Sequence, residues 1–221
     1  MSNLRHHLSL CVASSLVRQS NLGDLIGEHN WAVDITTGTI TFGESLSFPI
    51  QLLGTESDDD RTWLWAWANT RSNIPHELVH AVAWLREYGH RHHIPELTEA
   101  TLPLDHADGH TLALLSAGLT GLCYYRGPYQ GGAAYFLLQN VPHSVLAPTG
   151  PEDVVPVLSQ IMEMYDLDHR TLVENFLIQQ GWHVQTTQAT LVGRHPGGSN
   201  LHLEFDEHGR AGGIRLTFQH D

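Results

Sequence analysis

His76, Glu77 and His80 stand in the order His-Glu-x-x-His within the segment HELVH. On an α-helix, side chains four residues apart share a face, so the two imidazoles would converge on a zinc ion. Glu77 would then deprotonate the metal-bound water, as a zinc-dependent hydrolase requires. Several features of the chain oppose that chemistry. With 17 histidines in 221 residues, a match to so short a motif arises readily by chance. Pro75 places His76 in the first helical turn rather than in the helix interior. At about 100° per residue, His76, His80 and Glu87 point away from the apolar stripe of Leu78, Val82 and Leu85, toward solvent and not into a cleft. A third ligand would have to come from Glu96 or Glu99. The expectation is weak transition-metal chelation by His76 and His80 with no resident cofactor. Zinc catalysis with Glu77 as base is the alternative reading.

Two other groups of titratable residues invite attention. The acidic run 56–60 (Glu-Ser-Asp-Asp-Asp) lacks the frame of a calcium loop and reads as a turn, which Asp and Ser favour. Asp105, His106, Asp108 and His110 alternate carboxylate and imidazole ahead of a helix, where an N-capping Asp is the simpler account. The chain contains no G-x-S-x-G elbow, no phosphate loop and no G-x-G-x-x-G fingerprint.

Recognition chemistry is better represented. Tyr124, Tyr125, Arg126 and Tyr129 lie in the Gly-rich run YYRGPYQGG, and tyrosine and arginine are the side chains that anchor interfaces. Glycine allows close backbone approach, so the segment 126–132 is expected to form a hairpin loop at a binding surface. Trp63, Trp65 and Trp67 alternate in TWLWAWAN (62–69). If that segment is a strand, all three indoles project from one face. They form either the centre of a core, which the general burial of tryptophan favours, or a platform for a partner.

The chain as a whole limits the partners. Its formal net charge is −13, from 24 acidic against 11 basic residues, with no basic stripe, which disfavours nucleic acid. No apolar run approaches the ~18–20 residues of a membrane helix, and residues 8–17 lack the features of a leader. Cys11 and Cys123 are lone thiols without a CxxC spacing, as expected of buried cysteines in a reducing compartment. A cytoplasmic protein with a protein partner, or one that self-associates as a homodimer, fits these limits.

The elements that must position these residues follow from periodicity. Leu4, Leu8, Cys11, Val12 and Leu16 predict an amphipathic first helix. Residues 31–35, 39–42, 48–53 and 62–69 predict four strands with short turns, hence an antiparallel meander. Helices are predicted from Pro75 to Gly89 and over 108–119, separated by an irregular passage at 94–104. A hairpin pairs 122–125 with 133–138. A proline-rich linker at 141–152 precedes two helices, around 153–164 and 169–180, and three strands at 184–191, 201–205 and 213–218. Leu201, Leu203, Phe205 and Ile214, Leu216, Phe218 are predicted to face inward.

The segments QLLGTES (51–57), TWLWAWAN (62–69), LREYG (85–89), IPELT (94–98), ADGH (107–110) and YYRGPYQGGAAYF (124–136) together resemble an uncharacterised bacterial family of unknown function, over about residues 20–140. The resemblance implies an α+β cytoplasmic protein and no particular reaction. The resulting expectation is an α+β fold, an antiparallel sheet packed by helices, with a carboxy-terminal ααβββ unit. Residues 1–140 would form the core domain and 150–221 a second unit packed on it. Function would be non-enzymatic binding or assembly through Tyr124, Tyr125, Arg126, Tyr129 and the tryptophans.

Overall fold

Alternating apolar and polar side chains between residues 31 and 57, interrupted by tight turns, fold into an antiparallel meander, as period-two patterning demands. The computed structural model describes residues 3–218. These divide into two compact units: residues 18–146, and residues 147–218 with 3–17. The sequence placed residues 3–17 with the amino-terminal domain; in the structure they cluster with the carboxy-terminal elements.

The first helix, α1 (Asn3–Ile26), runs through both units. Between residues 7 and 15 it is buried well beyond one stripe, Ser9, Ser14 and Ser15 included, so the expected amphipathic pattern is too narrow. The serines satisfy their hydroxyls locally: Ser9 donates to the Arg5 carbonyl and accepts from the Asp168 N–H.

In the unit 18–146, β1 (Trp31–Asp34), β2 (Thr39–Phe42), β3 (Leu46–Ser57) and β4 (Thr62–Trp65) pair in sequence order. Helix α2 (His80–His92), the single-turn α3 (Pro95–Thr98), β5 (Thr101–Pro103) and α4 (Gly109–Thr120) follow. The hairpin β6 (Cys123–Tyr129) and β7 (Gly132–Leu138), then the short α5 (His143–Leu146), close the unit. Strand β3 is the hub of a seven-stranded sheet. Its first residues pair with β2, its last four with β4, and residues from Ile50 onward with β7. Helices α2 and α4 pack on it. The exposed edge of β6 is met by the Gln19 side chain, whose amide donates to the Tyr124 carbonyl and accepts from the Tyr124 N–H.

Three expectations need correction here. The tryptophan strand ends at Trp65 and becomes a 3-10 turn over Ala66–Ala68. Its ladder with β3 ends at the pair Gly54↔Trp65. The segment 94–104, expected to be irregular, holds α3 and β5. Residues 126–132 are not a loop: β6 continues to Tyr129 and turns through only Gln130 and Gly131 into β7.

The second unit contains α6 (Pro151–Met164), α7 (His169–Gln179) and an antiparallel sheet of four strands. These are β8 (His183–Thr186), β9 (Thr190–Arg194), β10 (Asn200–Phe205) and β11 (Ala211–Thr217). The expected ααβββ pattern gains a strand because 184–191 breaks at a turn where the Thr187 N–H donates to the Thr190 carbonyl. Leu201, Leu203 and Phe205 are buried as predicted. Phe218 lies just past the end of edge strand β11 and is 45% exposed. Among the described residues, no helix is long and apolar enough to cross a membrane.

Candidate functional site

One face of the large sheet gathers most of the chemistry in this unit. Side chains of directly paired residues share a face, and the register sets Glu56 opposite Trp63 and Ala133, Gly54 opposite Trp65 and Tyr135, and Arg126 opposite Tyr135. The bulge at Leu53 makes Gly54, not Leu53, the partner of Tyr135. Gly54 leaves the space that the Trp63 indole fills: a Cβ there would sit 2.5 Å from both Trp63 Cζ2 and the Leu64 carbonyl oxygen. The amino terminus of α4 covers the same face. Asp108 caps it by accepting from the Thr111 N–H at 2.7 Å, as an N-cap aspartate should.

Glu56 is the centre of this face and is buried. Its Oε1 accepts from the Gly109 N–H at 3.0 Å, and its Oε2 accepts from the Tyr135 hydroxyl at 2.7 Å. Arg126 Nε–H donates to the Tyr135 oxygen at 3.2 Å and lies 3.6 Å from Glu56 Oε2. The Tyr129 hydroxyl donates to the Glu56 main-chain carbonyl at 3.2 Å. A buried carboxylate is tolerated only with such partners, and a position at a helix amino terminus adds to its stability. Burial first, then the hydrogen bond to Glu56 and its charge, raise the Tyr135 pKa far above that of a free phenol. For Arg126, burial is outweighed by Tyr135 and Glu56, and the guanidinium pKa is raised. Tyr135 therefore stays a donor and Glu56 stays engaged.

The network reaches the surface through Arg126. Its side chain is 35% exposed, and its two terminal amino groups form no hydrogen bond among the described residues. His110, exposed on the first turn of α4, shares a 3.1 Å hydrogen bond with the Tyr124 hydroxyl and meets the Tyr135 ring edge-on at 5.7 Å. Tyr129 is 50% exposed.

The other residues named from the sequence divide among different places. Tyr125 lies on the opposite face, packed edge-on against Trp31 and Phe42 at 5.7 and 4.7 Å. Trp63 and Trp65 are buried in mutual contact at 5.2 Å, and the Trp65 indole N–H donates to the Glu96 carbonyl. They are core and not a docking platform. Trp67, thrown off the strand by the turn, lies beneath the Arg86 guanidinium at 4.1 Å.

His76–Leu78 form a 3-10 turn and α2 begins at His80, so HELVH does not lie on one α-helix. The two rings still meet, with His80 Nε2 2.9 Å from His76 Nδ1. The buried Gln51 amide holds the turn by donating to the Glu77 carbonyl and accepting from the Ala81 N–H. Among the described residues, no three His, Cys, Asp or Glu side chains form a metal-binding group, and Glu96 is paired with His106 at 3.1 Å. Asp105, His106, Asp108 and His110 serve four separate partners: Arg61, Glu96, the Thr111 N–H and Tyr124.

Sequence reasoning missed Glu56, read as the first acid of a turn.

The fold and this face define a mixed α+β protein built on two antiparallel sheets. The chain belongs to a family of unknown function, DUF6882, whose model matches residues 5–141. No curated protein and no solved structure matches the chain at a significant level.

Proposed function

We propose that the unit 18–146 is a non-enzymatic binding module whose working surface is the rim of the β6–β7 hairpin around Arg126 and Tyr129, which alternate to its two faces. The observation that carries this reading is the anchoring of Arg126. Its Nε is fixed by Tyr135 and Glu56, while both terminal amino groups remain available. An arginine already held in place loses little side-chain freedom on binding, and it can grip a carboxylate in bidentate fashion. On a chain of net charge −13, it is also a local positive handle for an acidic segment of a protein partner or of a second copy.

The test is a double substitution, Arg126→Ala with Tyr129→Ala, compared with wild type by sedimentation and by capture from the native host. The expected result is a folded protein that has lost its self-association or its captured partner. The same oligomeric state and the same captured proteins, in a folded variant, overturn the reading.

A further inference from the structure

In the second unit, the turn between α6 and α7 faces the turn between β10 and β11 across a cavity of about 500 Å³. Its lining includes Arg5, Asp166, Asp168, His169, Arg170 and Arg210. Both walls are fixed by hydrogen bonds. The Asp206 carboxylate accepts from the His208 and Arg210 N–H groups at 2.9 and 2.8 Å, and the Asp206 N–H donates to the Arg210 carbonyl. The Ala211 N–H donates to His169 Nδ1 at 3.1 Å, tying this turn to the start of α7. On the opposite wall, Arg5 donates to Asp166 Oδ1 at 2.7 Å and to the Leu167 carbonyl, while Asp168 caps α7 through the Thr171 N–H. Both aspartates are thus already engaged.

The remaining donors point to a ligand. Because His169 Nδ1 accepts a hydrogen bond, the ring proton of the neutral imidazole sits on Nε2. The Arg210 guanidinium forms no hydrogen bond or ion pair among the described residues. Arg170 contributes charge only, since its amino groups are spent on Thr186, Thr187 and Gln188 and its guanidinium lies over Phe205. His208 lies 3.6 Å from Glu207. The lining sets three arginines against two aspartates, with Asp206 on the same turn as Arg210.

We propose that the cavity binds a small phosphate-bearing molecule, whose phosphoryl oxygens accept from the Arg210 guanidinium and from His169 Nε2–H. A tetrahedral phosphate can accept from donors on two separate turns at once, whereas a planar carboxylate is matched by a single arginine fork. In keeping with this geometry, burial first and then the Arg210 charge hold the His169 pKa below its usual value, against the opposing charges of Asp166 and Asp168. This site is independent of the Arg126 rim, and either reading stands if the other fails.

The experiment is a titration of the full-length, isotope-labelled protein with sodium phosphate at pH 7, followed by amide resonances. Sodium chloride and sodium citrate at matched ionic strength run alongside. Saturable shifts at His169, Gly209 and Arg210 with phosphate are expected. They should weaken at least tenfold in Arg210→Gln and stay unchanged in Arg71→Gln, an exposed arginine of the other unit. Shifts that do not saturate, that chloride reproduces, that citrate produces at lower concentration or that survive Arg210→Gln overturn the proposal. If Arg210→Gln does not fold, Arg210→Lys decides: it keeps the charge but loses the fork. A several-fold loss of affinity supports the site, and unchanged affinity overturns it.

Discussion

Tyr135 donates its hydroxyl proton to Glu56 Oε2 over 2.7 Å, joining two residues 79 apart in the chain through the centre of the large sheet. The same hydroxyl accepts from Arg126, so one phenol both satisfies a buried carboxylate and steadies the surface arginine. Removing that oxygen leaves Glu56 short of a partner. Tyr135→Phe is therefore expected to remain folded but to lose about 1–3 kcal/mol, the usual cost of an unsatisfied buried polar group. Urea unfolding measures this, and an unchanged midpoint would show that Glu56 finds another donor.

Glycine at position 109 is expected to be needed for the same clamp. A Cβ there would lie 2.7 Å from both Glu56 Oε1 and Tyr135 Cζ. Alanine is ordinarily the better helix residue by about 1 kcal/mol, so propensity alone predicts stabilisation at this first position of α4. Overpacking wins instead: Gly109→Ala should destabilise by about 1–3 kcal/mol. A thermal midpoint at or above wild type would contradict the tight contact.

Much of the frame was legible because it rests on local pattern. The order β1 to β4 follows from period-two runs broken by turn residues, and Val82 and Leu85 face the core as their helical spacing requires. Asp108 announced the start of α4 by residue type alone. The site was legible only in half. Arg126 and Tyr129 could be picked out by residue type, but Glu56, which both contact, could not. Its role depends on a non-local register and on a bulge at Leu53, which no short-range periodicity encodes. The turn at Ala66–Ala68 takes Trp67 out of line with Trp63 and Trp65.

That difference among the tryptophans can be measured. Trp63 is fully buried against Trp65 and Tyr135, and Trp63→Ala should cost about 3–5 kcal/mol, enough to unfold much of the population. Trp67 sits outside the strand with Arg86 over its ring. Trp67 is half-buried rather than enclosed, so Trp67→Ala should cost less than Trp63→Ala. Equal losses in chemical denaturation would mean that Trp67 is as deep in the core as its neighbours.

The protein should lose stability on the alkaline side because burial raises a thiol and several phenols. Burial pushes the Cys123 thiol from its ordinary 9.0 up to about 11, with the Arg18 charge opposing, and Tyr135 is raised above 10.0 by burial and by Glu56. Both groups keep their protons in the folded chain at a pH where the unfolded chain releases them. Above pH 9 the folded state therefore binds more protons, and stability falls as pH rises. The contribution is fully present below pH 9 and is lost progressively as pH climbs toward and beyond 11. His169 acts on the other side: its lowered pKa means that the unfolded chain binds the extra proton below pH 6.5, so stability also falls as the solution is acidified. Urea midpoints at pH 5.5, 7, 9 and 10.5 should trace a maximum between these limits. In Tyr135→Phe the decline above pH 10 should be shallower than in wild type, because one of these groups no longer titrates. A thiol reagent at pH 8 should leave both cysteines of the native protein unmodified, since both are buried. A flat alkaline profile, or prompt labelling of Cys123 in the folded protein, would place that thiol in contact with solvent.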